Sequence, residues 1–78
     1  MSDNSPNVEL VGYIARAIVT QPDQVRVSEV ERGRVLELET ADEDRGRVIG
    51  RQGRVAKAMR AVLAASRAGR DTGLEIVD

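Results

Sequence analysis

The apolar residues change their spacing at three points along the chain, and these points constrain the possible folds more than any other feature. They fall at Pro22, Gly33 and Gly73. Over residues 8–20, apolar side chains recur every three or four positions, which predicts a helix. The residues with this spacing are Leu10, Val11, Ile14, Ala15 and Ile18. The helix is expected to end before Pro22, because proline disfavours helical geometry in the preceding residue.

An alternating pattern replaces the helical one after Pro22. Residues 24–31 carry two valines in alternation and a third, Val30, out of phase, which predicts a strand with a bulge or a twist near its end. Arg32-Gly33 is predicted to make a turn. Residues 34–40 place two leucines on one face and mainly glutamates on the other, the pattern of a half-buried antiparallel partner. The two strands are therefore predicted to form a hairpin.

Helical spacing returns in the second half of the chain. Acidic residues at 42–44 favour the start of a helix, because carboxylates there satisfy free backbone N–H groups and complement the helix dipole. This short helix is predicted to run to about residue 49, where Gly50 interrupts it. A longer helix is predicted from Gly53 to about Arg67, and residues 74–77 alternate as a last strand. The stripe expected to face the core of the longer helix consists of Val55, Met59, Val62, Leu63 and Ser66.

The predicted order is helix, strand, strand, helix, helix, strand. This order corresponds to an α+β domain in which three helices cover one face of a three-stranded sheet. A chain of 78 residues fits one compact domain, which is predicted to span residues 8–78. Residues 1–7 are polar and include a proline, so they are predicted to form a disordered N-terminal tail.

The composition excludes several classes of function. The chain has no Cys and no His, which removes thiolate and imidazole metal ligands and the usual nucleophile–base pairs. We therefore predict that the protein is not an enzyme and has no metal and no cofactor. No run approaches the roughly 18 apolar residues of a membrane helix, and residues 1–7 lack the apolar run of a secretory signal. These features predict no membrane insertion and a cytoplasmic location.

The charges are segregated along the chain, although the formal net charge is only -1. The segment from Arg45 to Arg70 contains basic residues but no Asp or Glu, whereas all 13 acids lie in the rest of the chain with the four remaining arginines. This segment is therefore a candidate for binding an anionic partner. Its basic residues are Arg45, Arg47, Arg51, Arg54, Lys57, Arg60, Arg67 and Arg70.

A glycine pair within the basic segment frames a short polar loop, Gly50-Arg51-Gln52-Gly53. The pair alone is weak evidence, but its position between two predicted helices strengthens it. Glycine at both ends lets a sugar–phosphate chain approach the backbone closely. The following helix start, with N–H groups expected to be free near Gly53 and Arg54, favours a phosphate beside the Arg51 charge. Gln52 is expected to add a hydrogen bond.

The longer helix continues this basic character. Arg54, Lys57 and Arg60 recur at three-residue steps, so they form a stripe outside the apolar face that is suited to follow a nucleic-acid backbone. In isolation such a stripe is equally typical of a solvated helix face. Its position directly after the glycine loop favours the binding hypothesis.

The segment from Val48 to Arg54, Val-Ile-Gly-Arg-Gln-Gly-Arg, resembles the signature of KH domains. The predicted order of elements resembles the type II, bacterial arrangement of that fold. More narrowly, the chain is similar to the family of small single-domain bacterial KH proteins called KH-domain protein A. The segments that match are Leu10–Ala15, Pro22-Asp23, Asp44–Arg54 and Leu74–Asp78.

This resemblance implies that the protein binds single-stranded RNA, because KH domains clamp about four nucleotides with the Gly-x-x-Gly loop. It also implies a post-transcriptional regulator or RNA chaperone that acts as a homodimer or as a heterodimer with a larger KH-containing protein. The RNA-binding residues it implies are Arg47, Val48, Ile49, Gly50, Arg51, Gln52, Gly53, Arg54 and Lys57.

The apolar residues around the loop have two interpretations. Val48, Ile49 and Ile76 are candidates for a groove that receives bases, but ordinary core is the more common role for such residues, since a small domain needs every aliphatic side chain it has. Many KH domains carry a large aliphatic residue three positions after the second glycine. This chain has Ala56 there and Val55 one position earlier, which leaves open which of the two lines the groove.

A second functional hypothesis is a protein–protein adaptor that uses the KH fold to dimerise, with RNA contact incidental. Tyr13 is the single aromatic residue, which argues against a stacking platform for bases. Base contacts are therefore expected to be aliphatic and to have little sequence preference.

Overall fold

Three α-helices and three strands follow one another in the predicted order along residues 5–77, the part of the chain that the computed structural model describes. The prediction of an α+β fold with the order αββααβ is thus confirmed. The helices are α1 (Pro6–Ile18), α2 (Arg45–Ile49) and α3 (Arg54–Ala65), and the strands are β1 (Arg26–Val30), β2 (Val35–Glu39) and β3 (Gly73–Val77). Among the described residues, no helix is long and apolar enough to cross a membrane.

Helix α1 begins two residues before its predicted start. Ser5 caps it by accepting a hydrogen bond from the Val8 N–H at 3.2 Å, and Pro6 occupies the first helical position, where its missing N–H carries no penalty. Asn7 is therefore helical and buried. Residues 1–4 of the predicted tail and Asp78 at the other end lie outside the described residues.

The sheet is mixed, with β2 in the centre. β1 pairs antiparallel with β2, and β3 pairs parallel with it on the other side. The pairing of β1 and β2 is one-to-one from Arg26–Glu39 to Val30–Val35, so the predicted bulge is wrong. Val30 lies opposite Val35 on the face that the helices leave open, which explains its change of phase. The turn between the strands is a 3₁₀ turn over Glu31–Gly33.

The core lies between the helices and one face of the sheet. Leu36 and Leu38 are completely buried because β2 has a strand on each side and helices above it. The predicted stripe of α3 is only partly correct, since Met59 and Leu63 are buried whereas Val62 is 44% exposed at the edge of that face. The buried apolar residues are Val11, Ala15, Val25, Leu36, Leu38, Val48, Ala56, Met59, Leu63 and Leu74.

The open face of the sheet carries carboxylates. The register places Glu37 opposite Glu75 and Glu39 opposite Arg26, all on the side away from the buried leucines. The segregation of charge along the sequence therefore becomes a separation in space. The acidic face of the sheet lies on one side of the domain, and the basic helices lie on the other.

Candidate nucleic-acid interface

A buried carboxylate fixes the start of α2. Asp44 is completely buried, and its Oδ1 accepts hydrogen bonds from the Thr20 N–H at 3.0 Å and the Thr20 hydroxyl at 2.9 Å. Its Oδ2 accepts one from the Gln21 N–H at 3.0 Å. The Thr20 N–H lowers the pKa of Asp44 below its ordinary value, burial opposes that shift, and the remaining donors and the Arg47 charge reinforce it. The carboxylate is therefore held in its ionised form.

Arg47 is connected to this anchor. Its Nε lies 3.6 Å from Asp44 Oδ1, while most of its guanidinium side chain remains exposed. The sequence predicted Arg47 as a binding residue and Asp44 only as part of a helix start. The structural role of Asp44 was missed because its partners Thr20 and Gln21 lie 24 and 23 residues away in the sequence.

The glycine loop follows α2 directly and folds as a 3₁₀ turn over Arg51–Gly53. Gly50 has φ 79° and ψ 169°, a conformation essentially restricted to glycine, and Gln52 and Gly53 have left-handed φ values of 58° and 75°. The expectation of free N–H groups at Gly53 and Arg54 is wrong. The Gly53 N–H donates to Gly50 O at 3.0 Å, and the Arg54 N–H donates to Arg51 O. These bonds hold the loop in shape.

The two glycines serve different needs. A Cβ on Gly50 would lie 2.5 Å from Val55 Cγ2 and 2.7 Å from the Val55 nitrogen, so the close contact between α2 and α3 requires glycine there. A Cβ on Gly53 would meet nothing within 4 Å. Space beside Gly53 is therefore open for a ligand to approach the backbone.

Cationic side chains surround that space. Arg51, Arg54 and Lys57 are exposed, and none of them forms an ion pair within residues 5–77. Gln52 is exposed as well, and its Oε1 accepts a long hydrogen bond of 3.5 Å from Arg54 Nη2. Arg60 differs, because its Nε donates to the Leu74 carbonyl at 3.0 Å and thereby joins α3 to β3.

The structure separates the apolar candidates. Ile49 is 37% exposed and ends α2 beside Gly50, whereas Ile76 lies in β3, is partly buried and packs against the core. Val48 is completely buried in the core, and Ala56 is also buried, so neither presents an accessible surface. Val55 is partly buried and packs against Gly50. Ile49, next to Gly50, is therefore the most accessible of these apolar candidates, and Ile76 is accessible only in part.

These features define the class of the protein. Two helices joined by a Gly-x-x-Gly loop, packed on a mixed three-stranded sheet in the order αββααβ, make up a type II KH domain. A family model described as "KhpA/KhpB, KH domain" matches residues 8–76, so the chain belongs to this family.

Several relatives match this chain over most of their own length. The chain is 46% identical to an RNA-binding protein KhpA of Treponema pallidum over 74 residues, covering 90% of this chain and 92% of the relative. It is 48% identical to that of Halalkalibacterium halodurans over 73 residues, covering 88% and 96%. It is 52% identical to that of Clostridium acetobutylicum over 60 residues, covering 74% and 80%. No solved structure matches the chain significantly.

Proposed function

We propose that the chain binds single-stranded RNA by clamping it with the Gly50–Gly53 loop and the first turns of α3. The observation that carries this proposal is the group of exposed cations beside the open backbone at Gly53, which have no ion-pair partner within residues 5–77: Arg51, Arg54 and Lys57. The naming of the relatives as RNA-binding proteins supports it. Phosphates are attracted there by the full charges and by the positive end of the α3 dipole.

Bases would lie on the other side of the clamped backbone. Ile49 and Ile76 offer an aliphatic surface there, and Arg47 lies one helical turn before the loop. Aliphatic surfaces contact any base by its face without reading its hydrogen-bonding edge. The proposed clamp therefore has weak sequence preference and strong dependence on salt.

The experiment measures RNA affinity for the wild type and for the double variant Arg51→Asp/Gln52→Asp. Two carboxylates at these exposed positions would repel phosphates and oppose the helix dipole, so binding is expected to be lost while the circular dichroism spectrum is unchanged. A matched control is Arg16→Asp/Gln24→Asp, which makes the same charge change at exposed positions on α1 and the turn after it. Binding by the folded loop variant at wild-type strength would refute the proposal and favour the adaptor hypothesis.

We also propose that the domain works as a homodimer or as a heterodimer with a larger KH-containing protein. A small core gains stability when further apolar surface is buried between chains. Large apolar side chains are exposed, with Tyr13 at 74% and Val62 at 44%. Sedimentation that shows only monomer at high micromolar concentration, with no KH partner recovered from cells, would contradict this proposal.

A cellular role follows from the proposed binding mode. A clamp with weak sequence preference suits a post-transcriptional regulator or an RNA chaperone in the cytoplasm, because such a protein acts on many transcripts. Crosslinking the protein to RNA in cells, and sequencing what is captured with the wild type and with the loop variant, tests this role. Equal capture by both proteins would contradict it.

A further inference from the structure

Four exposed arginines belong to two neighbouring segments at the end of α3 that lies away from the glycine loop. Two of them, Arg32 and Arg34, belong to the turn between β1 and β2, and the other two, Arg67 and Arg70, belong to the connection between α3 and β3. Hydrogen bonds join the two segments. The Thr72 hydroxyl donates to Gly33 O at 3.4 Å, and the Gly73 N–H donates to Arg34 O at 2.8 Å. We call this group the distal arginine cluster.

The four guanidinium groups of the cluster are exposed and are not neutralised by ion pairs among the described residues. Within residues 5–77, none of its four guanidinium groups forms an ion pair or a side-chain hydrogen bond. Three carboxylates, Glu29, Glu31 and Asp71, belong to the same strand end and connections, so the local excess of positive charge is small. Any anion bound here would therefore be held by direct contact with guanidinium groups rather than by a long-range field.

The backbone of the turn is strained where it presents these arginines. Glu31, Arg32 and Gly33 have φ values of 52°, 60° and 82°, and the first two are not glycine. Residues with a side chain adopt this left-handed backbone only at a cost in free energy. The same pattern of a left-handed polar residue followed by a left-handed glycine and an arginine occurs at Gln52-Gly53-Arg54 in the glycine loop. Strain of this kind is typical of functional segments.

A line of contacts joins the cluster to the cations of α3. Arg60 Nε donates to the Leu74 carbonyl, and Leu74 follows Gly73, whose N–H donates to Arg34 O. Along α3, basic residues therefore lie at the start of the helix (Arg54 and Lys57) and at its middle (Arg60), and the distal cluster lies beyond its end. The 12 residues of α3 correspond to about 18 Å. That length matches roughly five nucleotides of a stacked single strand at about 3.4 Å each.

We propose that the distal arginine cluster is a second phosphate-binding site, which holds the RNA strand after it has left the Gly50–Gly53 clamp and followed α3. This proposal rests on the proposed function, because the RNA strand reaches the distal arginine cluster only if the Gly50–Gly53 loop clamps it and directs it along α3. It assigns to the domain a binding length of about ten nucleotides, compared with about four for the loop alone.

The experiment compares two single-stranded RNA oligonucleotides of mixed sequence, one of about four and one of about ten nucleotides. The distal variant is Arg32→Gln/Arg70→Gln, with one change in each segment of the cluster. The matched control is Arg16→Gln/Arg26→Gln, which removes the same charge from exposed positions on α1 and on the open face of the sheet. The loop variant Arg51→Asp/Gln52→Asp is measured on both oligonucleotides as well.

The distal variant is expected to bind the short oligonucleotide like the wild type and the long one more weakly. For the long oligonucleotide, its logarithmic salt slope should be shallower by about 1.4, at about 0.7 for each lost phosphate contact. A distal variant that matches the control on the long oligonucleotide would overturn the proposal. Retained binding of the short oligonucleotide by the loop variant would instead overturn the clamp, so the two failures are distinguishable.

Discussion

The two ends of α2 differ in the exposure of their charged groups: the one at its start is buried, and the one that follows its end is exposed. At its start, the Asp44 carboxylate is completely buried and accepts three hydrogen bonds from Thr20 and Gln21. The Gly50–Gly53 loop begins six residues later and presents the exposed side chain of Arg51, whose charge has no ion-pair partner among the described residues. A buried charge with all its partners inside the protein fixes geometry. An exposed charge without a partner is available to a ligand. The short helix α2 holds the exposed charge of the loop at a fixed position relative to the buried Asp44 carboxylate.

Replacing Asp44 with alanine should have the largest effect on stability. The change leaves three part-buried donors, the Thr20 N–H and hydroxyl and the Gln21 N–H, without their acceptor. The control is Asp42→Ala, which removes an exposed carboxylate whose ion pair with Arg45 is 2.8 Å long and is worth at most about 1 kcal/mol. Urea denaturation measures both. Equal losses of unfolding free energy would show that α2 is not anchored at its start.

The Asp44 carboxylate should also make the unfolding free energy depend on pH in the acid range. Because the pKa of Asp44 is lower in the folded protein than in the unfolded chain, its contribution is present above about pH 4 and is lost as the pH falls through the folded value. The unfolding free energy of the wild type should therefore fall more steeply below about pH 4 than that of Asp44→Asn. Parallel pH profiles for the two proteins would contradict this prediction.

Replacing Gly50 with alanine should have the next largest effect. Its backbone conformation alone costs a residue with a side chain about 1–3 kcal/mol, and the new Cβ would collide with Val55. This collision would push α2 away from α3, and the change in the fold would in turn weaken RNA binding. Thermal unfolding and RNA affinity should fall together. A stable Gly50→Ala protein that has lost only RNA binding would place this glycine in the interface instead.

Gly53→Ala should weaken RNA binding without unfolding the protein, whereas Gly50→Ala should reduce both stability and RNA binding. The left-handed φ of 75° costs about 1–2 kcal/mol, but a Cβ there meets nothing within 4 Å, so the protein should remain folded. RNA affinity should nevertheless fall, because the methyl group occupies the space through which a phosphate approaches the backbone. Unchanged affinity in the folded Gly53→Ala protein would show that the strand does not pass this point.

The smallest expected effect comes from Lys57→Gln on the exposed face of α3. Stability should change by less than about 0.5 kcal/mol, since the side chain is exposed and has no ion pair within residues 5–77. The logarithmic salt slope of RNA binding should become shallower by about 0.7, the value for one phosphate contact. A slope equal to that of the wild type would remove Lys57 from the interface.

The order of elements was predictable because local spacing determines it. Apolar residues at helical or alternating intervals, interrupted at Pro22, Gly33 and Gly73, place each helix and strand to within about two residues of its observed bounds. The positions of the loop glycines were predictable for the same reason, since they separate two helical stretches.

Other features depended on partners that are distant in the sequence. The anchoring role of Asp44 arises from contacts with Thr20 and Gln21, which no local pattern reveals. The burial of Val48 and the exposure of Val62 depend on how closely the helices pack on the sheet. The N–H groups of Gly53 and Arg54 differ, because their acceptors, the Gly50 and Arg51 carbonyls, are local, and only the conformation of the loop brings them within reach.

The parallel pairing of β2 with β3 has a consequence for the order in which the domain assembles. The segment that joins these strands, residues 40–72, contains α2, the glycine loop and α3. During synthesis the glycine loop emerges before β3, but Arg60 has no Leu74 carbonyl to bond until β3 has joined the sheet. Closing a connection of this length is entropically unfavourable and slows folding. The bond that joins α3 to β3 can therefore form only after the last strand has been synthesised and has paired with β2.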